Sequence, residues 1–187
     1  MRSMADPQWE SARSRYKHER FHLLEETFVL DDRSIVRPII HHPGAVAIVA
    51  QPDTDHLLMV RQFRYPLRRW TLEIPAGTRE EGEDPLDTAK RELSEEAGMA
   101  AEHWREILRF FPALGVSTEE MILYQANSLT TADGCPDEGE LVAGEVVALS
   151  DLQHFMDEGL ICDAKTLIAL AVIGAWPGSG QSTGKAC

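Results

Sequence analysis

The sequence has few cysteines, no long apolar segment and few basic residues relative to its acidic ones. Its three cysteines, Cys135, Cys162 and Cys187, are odd in number and widely spaced, which favours neither a disulfide framework nor a zinc site. No segment approaches the roughly 20 apolar residues that a membrane-spanning helix needs, and the N-terminus lacks the apolar core of a signal peptide. We therefore expect a cytoplasmic protein that contacts no membrane.

The excess of acidic residues limits the partners of the chain. Asp and Glu total 31 against 18 Lys and Arg, which gives a net charge of −13. Such a charge disfavours binding to nucleic acid or to an anionic membrane. It leaves room for a small polyanionic substrate, because bound metal ions reverse the local field. At 187 residues the chain is long enough for one domain with a sizeable core.

The most informative segment is Gly77–Met99, GTREEGEDPLDTAKRELSEEAGM. Asp84 is a favourable helix cap, Pro85 suits the first helical position, and Gly98 is a typical helix end. The apolar residues between these signals recur at three- and four-residue steps, which predicts one buried stripe. They are Leu86, Ala89, Leu93 and Ala97.

Three glutamates occupy another face of this predicted helix. Glu92, Glu95 and Glu96 are three and four residues apart, and like charges at these spacings destabilise a helix. The cluster therefore requires a counter-ion, and Mg²⁺ or Mn²⁺ is the natural partner of carboxylate oxygens. The alternative interpretation is an acidic helix face that is simply solvated.

The spacing of this segment resembles the Nudix box, with every defining position filled. The positions are Gly77, Glu83, Arg91-Glu92-Leu93, Glu95-Glu96 and Gly98-Met99. Further segments resemble the ADP-ribose pyrophosphatase branch of that family, including those around Phe111–Glu119 and Gly159–Leu170 and three that lead up to the box. The three that lead up to the box are His42-Pro43-Gly44-Ala45-Val46, Val60-Arg61-Gln62-Phe63-Arg64-Tyr65-Pro66 and Glu73-Ile74-Pro75-Ala76-Gly77. The resemblance covers roughly residues 40 to 172.

The remaining pattern predicts strands, then the acidic helix, then strands and two late helices. Expected strands span residues 21–30, 35–40, 45–50, 57–62, 70–74, 107–111, 121–126 and 145–149. Ser150 is expected to cap a helix that ends at Gly159, and Asp163 a last helix that reaches Trp176. This order favours an α/β fold with a mixed sheet between helices.

The resemblance implies a Nudix α/β/α sandwich with an added N-terminal β-hairpin region. We expect a flexible leader at residues 1–9 and a strand region at 10–44. The Nudix domain would then occupy residues 45–176, and a disordered Gly/Ser-rich tail 177–187. In relatives the hairpin belongs to the dimer interface and helps to cover the partner's substrate. By analogy this chain is expected to form a homodimer.

The activity that the resemblance implies is Mg²⁺-dependent hydrolysis of ADP-ribose or a related nucleoside diphosphate sugar, with Mn²⁺ as a substitute ion. The products would be a nucleoside monophosphate and a sugar phosphate. The expected metal ligands are the carbonyl of Ala76 and the carboxylates of Glu92, Glu96 and Glu95. The number of ions and the phosphorus attacked stay open.

The resemblance also assigns catalytic and substrate-binding roles. Glu138 is expected to be the general base and Glu140 an auxiliary ligand, although the two could exchange roles. Arg91 would orient the carboxylates, with Glu95 beside it. The expected substrate-binding residues are Arg64, Arg79, Glu73, Leu114 and Gly115.

One departure from the family pattern leaves the sugar open. Leu114 stands where the ADP-ribose branch usually has a marker proline, in a loop that lies near the terminal sugar in relatives. An enzyme that prefers GDP-mannose or ADP-glucose, or that accepts several nucleotide sugars, is therefore an alternative. A more remote alternative is a nucleotide-sugar sensor that does not hydrolyse its ligand.

Overall fold

A computed structural model describes residues 5–134 and 141–177, which form ten β-strands and three α-helices. The strands are β1 (Gln8–Lys17), β2 (His22–Leu30), β3 (Arg33–His41), β4 (Ala45–Ala50), β5 (His56–Arg64), β6 (Arg69–Glu73), β7 (Ala76–Thr78), β8 (Met99–Phe110), β9 (Met121–Thr131) and β10 (Val142–Ala148). The helices are α1 (Pro85–Ala97), α2 (Leu152–Asp157) and α3 (Ala164–Val172). In these described ranges no helix has the length and apolar character needed to cross a membrane.

The strands form two sheets. A seven-stranded sheet has the order β10-β5-β4-β9-β8, with β6 paired to β5 and β7 paired to β4. The pairing of β4 with β9 is parallel, whereas the other pairs in this sheet are antiparallel. The strands β1, β2 and β3 form a separate antiparallel sheet. The mixed α/β architecture expected from the sequence is confirmed.

The central strand β4, AVAIVA, is buried along its whole length and divides the core into two layers. Successive side chains of a strand point to opposite faces of the sheet. Val49 accordingly belongs to the same core cluster as Leu170 of α3, and Ile48 to the cluster that contains Leu93 of α1. Helix α1 therefore covers one face of the sheet, and α2 and α3 cover the other.

Helix α1 begins and ends at the residues that the sequence indicated. Asp84 Oδ1 accepts a hydrogen bond from the backbone N–H of Leu86 at 2.9 Å, and Pro85 is the first helical residue. Gly98 ends the helix in the left-handed region, with φ +61°. These caps fix the rotation of α1, so that Leu93 is buried in the core and the glutamates lie on an adjoining face.

Several element boundaries differ from the prediction. Strands β1 and β7 were not predicted, and β1 starts at Gln8, within the segment expected to be a leader. Strand β8 starts at Met99 rather than near Ile107. The predicted cap at Ser150 is wrong, because α2 begins at Leu152 without a side-chain cap. Asp163 does cap α3, and its side chain accepts from the backbone N–H of Thr166, but the helix ends at Val172.

Candidate active site

A cavity of about 750 Å³ lies between α1 and the turn that joins β1 to β2. Its volume falls within the roughly 300–1,000 Å³ typical of small-molecule sites. One wall is acidic and belongs to α1 and the segment before it, and the opposite wall carries basic, histidine and aromatic side chains. The acidic side contains residues 76–81, Arg91, Glu92, Glu95 and Glu96, and the opposite side contains residues 17–22 and 41–43, with Gln62 and Arg64 beside them.

The three glutamates of α1 share a face that borders this cavity. Glu92 and Glu96 are buried, and Glu95 is half-buried. The backbone N–H of Ala76 donates to Oε2 of Glu96 at 2.9 Å. Arg91 Nη1 donates to Oε1 of Glu92 at 2.7 Å and to Oε2 of Glu95 at 3.0 Å. The cluster is therefore an ordered group of carboxylates rather than a solvated helix face.

Arg91 provides part of the counter-charge that the glutamates require. Its Nε and Nη2 donate to the two oxygens of Glu83, both at 3.1 Å, and Nη2 also donates to the carbonyl of Thr78 at 3.3 Å. The hydrogen bonds from Arg91 lower the pKa of Glu83 from 4.5 to about 2. The same contacts raise the pKa of Arg91 above its ordinary value. One guanidinium thus connects the loop before the helix to two of the helical carboxylates.

Gly77 makes room for the carboxylate of Glu92. A Cβ atom at Gly77 would lie 1.9 Å from the carboxyl carbon of Glu92, so any larger residue would displace this side chain. The backbone at Ala76–Gly77 and the carboxylates of Glu92 and Glu96 thus crowd into one small space. This set of oxygen donors fits Mg²⁺ or Mn²⁺.

The oxygen donors around Gly77 would bind such an ion only together with ligands from outside the protein. Within residues 5–134 and 141–177, no three carboxylate, histidine or cysteine side chains already converge as a metal cage. Mg²⁺ usually takes one or two carboxylates and completes its shell with water and substrate phosphate oxygens. Glu92 and Glu96, with the carbonyl of Ala76, are the groups that could supply the protein's share.

Two arginines named by the sequence also line the cavity. Arg64 Nε and Nη2 donate to the two oxygens of Glu73 at 2.7 and 2.5 Å. Arg79 Nη2 donates to the carbonyl of Glu83 at 2.8 Å, whereas its Nε is buried without a hydrogen-bond partner among the described residues. Burying an N–H group without a hydrogen-bond partner costs free energy. Arg79 is therefore suited to donate a hydrogen bond to an oxygen of a ligand.

Three other predicted site residues, Glu73, Leu114 and Gly115, are described and lie outside the lining of the cavity. Glu73 is buried beneath Arg64, and its carboxylate contacts protein groups. Leu114 and Gly115 lie in the loop between β8 and β9, where Leu114 is 74% exposed. Glu138 and Glu140 lie outside the described residues.

The sequence interpretation missed the turn between β1 and β2, Lys17–His22, which forms much of the opposite wall. Its signal is composition, because KHERFH places basic, histidine and aromatic side chains next to one another. It also missed Gln62, which is buried, lines the cavity and has an Oε1 without a partner in the described part of the chain. A glutamine inside an apolar strand pattern is the signal that could have identified it.

Comparison with known proteins identifies the family and the fold of the chain. The family model described as the NUDIX domain matches residues 40–166. The chain is 37% identical over 149 residues to an ADP-ribose pyrophosphatase of Bacillus subtilis (79% of this chain and 80% of that protein). It is 39% identical over 136 residues to a methanol dehydrogenase activator of Bacillus methanolicus (72% and 74%). A solved structure, titled as an ADP compounds hydrolase, shares the fold with a TM-score of 0.80 at 20% identity and covers 94% of this chain and 96% of its own.

Proposed function

The chain belongs to the Nudix family of hydrolases that act on phosphorus anhydrides, and from this membership we propose that it hydrolyses ADP-ribose to AMP and ribose 5-phosphate. The observation that carries the proposal is the arrangement across one cavity. The carboxylates of Glu92, Glu95 and Glu96 face a space that the guanidinium groups of Arg64 and Arg79 also border. A diphosphate needs both kinds of group, cations for its oxygens and carboxylates for the metal that accompanies it.

The proposed cofactor is Mg²⁺, with Mn²⁺ as a substitute. Glu92, Glu96 and the carbonyl of Ala76 would hold it, and Glu95 would bridge to a second ion. When bound, these ions neutralise the diphosphate and lower the pKa of a coordinated water. The close approach that Gly77 permits and the carboxylate-rich donor set support this assignment.

The side chains of the protein would then position the reactants. Arg91 keeps Glu92 and Glu95 at hydrogen-bond distance from one guanidinium, so that their repulsion is offset before any ion binds. Arg64 and Arg79 would bind phosphate oxygens, a task for which the planar guanidinium is well suited.

The general base proposed from the family resemblance is Glu138, with Glu140 in an auxiliary role. Both lie outside the described residues. The described chain before them packs on α1, since a Cβ at Gly134 would lie 2.0 Å from the carbonyl oxygen of Ser94. The chain after them is tied to β5, where the backbone N–H of Phe63 donates to the carbonyl of Leu141 at 3.1 Å. Both anchor points belong to elements that line the cavity, which supports a base from the segment between them.

We propose that the enzyme is a homodimer and that it resides in the cytoplasm. The sheet β1-β2-β3 leaves large apolar side chains in solvent, among them Trp9, Tyr16 and Val36. Every residue of β1 is exposed, although the strand is ten residues long. A second copy that covers this sheet would bury these side chains and protect the exposed strand edge.

The alternative substrate is another nucleoside diphosphate sugar, such as GDP-mannose or ADP-glucose, and Leu114 is the observation that favours it. The test is to incubate the purified protein and Mg²⁺ with ADP-ribose, GDP-mannose, ADP-glucose and dATP, and to compare kcat/KM. A clear preference for ADP-ribose supports the proposal. A preference for another sugar would replace the substrate, and tight binding without turnover would favour the sensor.

A further inference from the structure

A buried carboxylate, Glu73, connects the cavity to helix α3. Glu73 is 1% exposed at the end of β6. It accepts hydrogen bonds from Arg64 on β5, from the hydroxyl of Thr71 at 2.6 Å, and from Lys165 Nζ on α3. Its two oxygens are therefore occupied by groups from three elements, and a substrate would meet Arg64 rather than Glu73.

Glu73, Arg64, Thr71 and Lys165 form what we call the Glu73 cluster, and Arg64 is its member that lines the cavity. Its side chain is 37% exposed, compared with 9% for Lys165. The Nε–Nη2 edge of its guanidinium is bound to Glu73, so a phosphate oxygen in the cavity would meet the Nη1 edge. Because a guanidinium held along one edge has little freedom to rotate, its remaining N–H groups keep a fixed direction.

Lys165 occupies a position that helix electrostatics disfavour. It lies in the first turn of α3, where the positive end of the helix dipole opposes a cation. Its Nζ donates to Asp163, the capping residue of the same helix, at 2.9 Å as well as to Glu73. The contact with Glu73 explains why a lysine occurs here, since a buried carboxylate held by Arg64 alone would be poorly compensated.

The first turn of α3 also binds the segment that immediately precedes Ala76, one of the predicted metal ligands. The backbone N–H of Ile74 donates to the hydroxyl of Thr166 at 3.1 Å. Two residues further on, the N–H of Ala76 donates to Glu96. The first turn of α3 therefore contacts two consecutive residues, Glu73 and Ile74, immediately before the segment that borders the acidic wall.

We infer that Lys165 is a positioning residue for the hydrolysis: it acts through Glu73 to hold the guanidinium of Arg64 in the direction that the diphosphate requires. This inference rests on the proposed function for its substrate. It adds a residue that supports catalysis from outside the Nudix box. Lys165 lies on α3 and does not touch the substrate.

The first test compares Lys165→Met with Lys165→Arg, using Lys90→Met as the matched control. Lys90 lies exposed on α1 and contacts only Asp87 among the ion pairs described, at 3.2 Å. We expect kcat/KM for ADP-ribose to fall by about ten- to a hundredfold in Lys165→Met, the range typical of residues that orient a reacting group. Lys165→Arg should restore most of this loss, and Lys90→Met should match wild type.

A double-mutant comparison separates positioning from a general structural role. If Lys165 acts through Arg64, Lys165→Met should cost little when it is added to Arg64→Ala, because the group that it positions is already absent. An equal loss in both backgrounds would overturn the inference. So would wild-type kcat/KM in Lys165→Met itself.

A third measurement does not depend on the substrate. The side-chain Nε–H resonance of Arg64, assigned by its loss in Arg64→Lys, should be shifted and should exchange faster with water in Lys165→Met than in wild type. If wild type does not hydrolyse ADP-ribose, the proposed function fails, and this resonance still decides the role of Lys165. An unchanged resonance would overturn the inference. If Lys165→Met does not fold, Lys165→Gln replaces it, because its amide keeps a hydrogen-bond donor beside Glu73 while the charge is removed.

Discussion

The backbone N–H of Ala76 donates to Oε2 of Glu96 at 2.9 Å, and this hydrogen bond joins β7 to the helix that carries the acidic cluster. It brings the segment that contains one predicted metal ligand against the side chain of another. The geometry of the candidate metal site therefore depends on how closely β7 packs on α1. Gly77, the next residue, is where this packing can be tested.

Gly77→Ala should disable the site without unfolding the protein. The added Cβ would meet the carboxylate of Glu92 at 1.9 Å, so this side chain must move. We expect kcat to fall by about ten- to a hundredfold or more and the affinity for Mn²⁺, measured by electron paramagnetic resonance, to weaken. The thermal midpoint should change little. Normal Mn²⁺ affinity in a folded variant would mean that Glu92 does not bind the metal.

The Glu73 cluster should make folding stability sensitive to acid. Burial raises the pKa of Glu73, but Arg64 and Lys165 outweigh this effect and bring it from 4.5 to about 2. Because the pKa is lower in the folded state, the stabilisation is complete above about pH 4.5 and is lost as the pH falls towards 2.

The free energy of unfolding in urea should consequently fall more steeply with acid in wild type than in Glu73→Gln, which cannot take up this proton. Glu102→Gln, at an exposed position of β8, is the control and should follow wild type. Parallel curves for wild type and Glu73→Gln would show that the cluster is not coupled to folding in this way.

Leu114→Pro tests whether the loop after β8 influences the choice of sugar. This loop is bound to β3 through the backbone, since Ile40 N–H donates to Val116 and Thr118 N–H donates to Ile40, both at 2.9 Å. The N–H of Leu114 donates no hydrogen bond in the described part of the chain, so proline can be introduced without losing one. We expect kcat/KM for ADP-ribose relative to GDP-mannose to rise by about tenfold, the scale of one small contact.

Leu114→Ala distinguishes the loss of leucine from the gain of proline. The ratio of kcat/KM for ADP-ribose to kcat/KM for GDP-mannose should rise in Leu114→Pro and stay near the wild-type value in Leu114→Ala. An unchanged ratio in Leu114→Pro would show that this loop does not influence the choice of sugar.

The exposed β1-β2-β3 sheet leads to a prediction about assembly. Wild type should sediment as a dimer, and Trp9→Arg/Val36→Glu should sediment as a monomer, because charges on this sheet would prevent its burial. Val172→Glu, at an exposed position of α3, is the matched control. A monomeric wild type, or a dimeric double variant, would contradict the proposed interface.

Local signals predicted the helix that carries the site, because its boundaries depend on neighbouring residues. Asp84 and Gly98 act through contacts within a few residues, and the stripe around Leu93 follows the helical period. Strand β1 was missed for the opposite reason. Its sequence, QWESARSRYK, is exposed at every position, so it lacks the alternation that identifies a half-buried strand.

The contacts that support the site could not be read from local patterns. Lys165 and Glu73 are 92 residues apart in the chain, and only the packing of α3 against β6 brings them together. Nothing in the spacing around either residue identifies the other. The one local hint is a lysine two residues after the helix cap Asp163, in the first helical turn, where a cation is disfavoured.

The metal-dependent hydrolysis is tested by measuring AMP release from ADP-ribose by wild type and Glu96→Gln, with Mg²⁺ present and after its removal by chelation. Glu106→Gln, at an exposed ion pair on β8, serves as the control. We expect Mg²⁺-dependent AMP release by wild type and the control, and a rate at least about a hundredfold lower in folded Glu96→Gln, since a predicted ligand is lost. Undiminished turnover in Glu96→Gln, or no AMP release by wild type, would contradict this expectation.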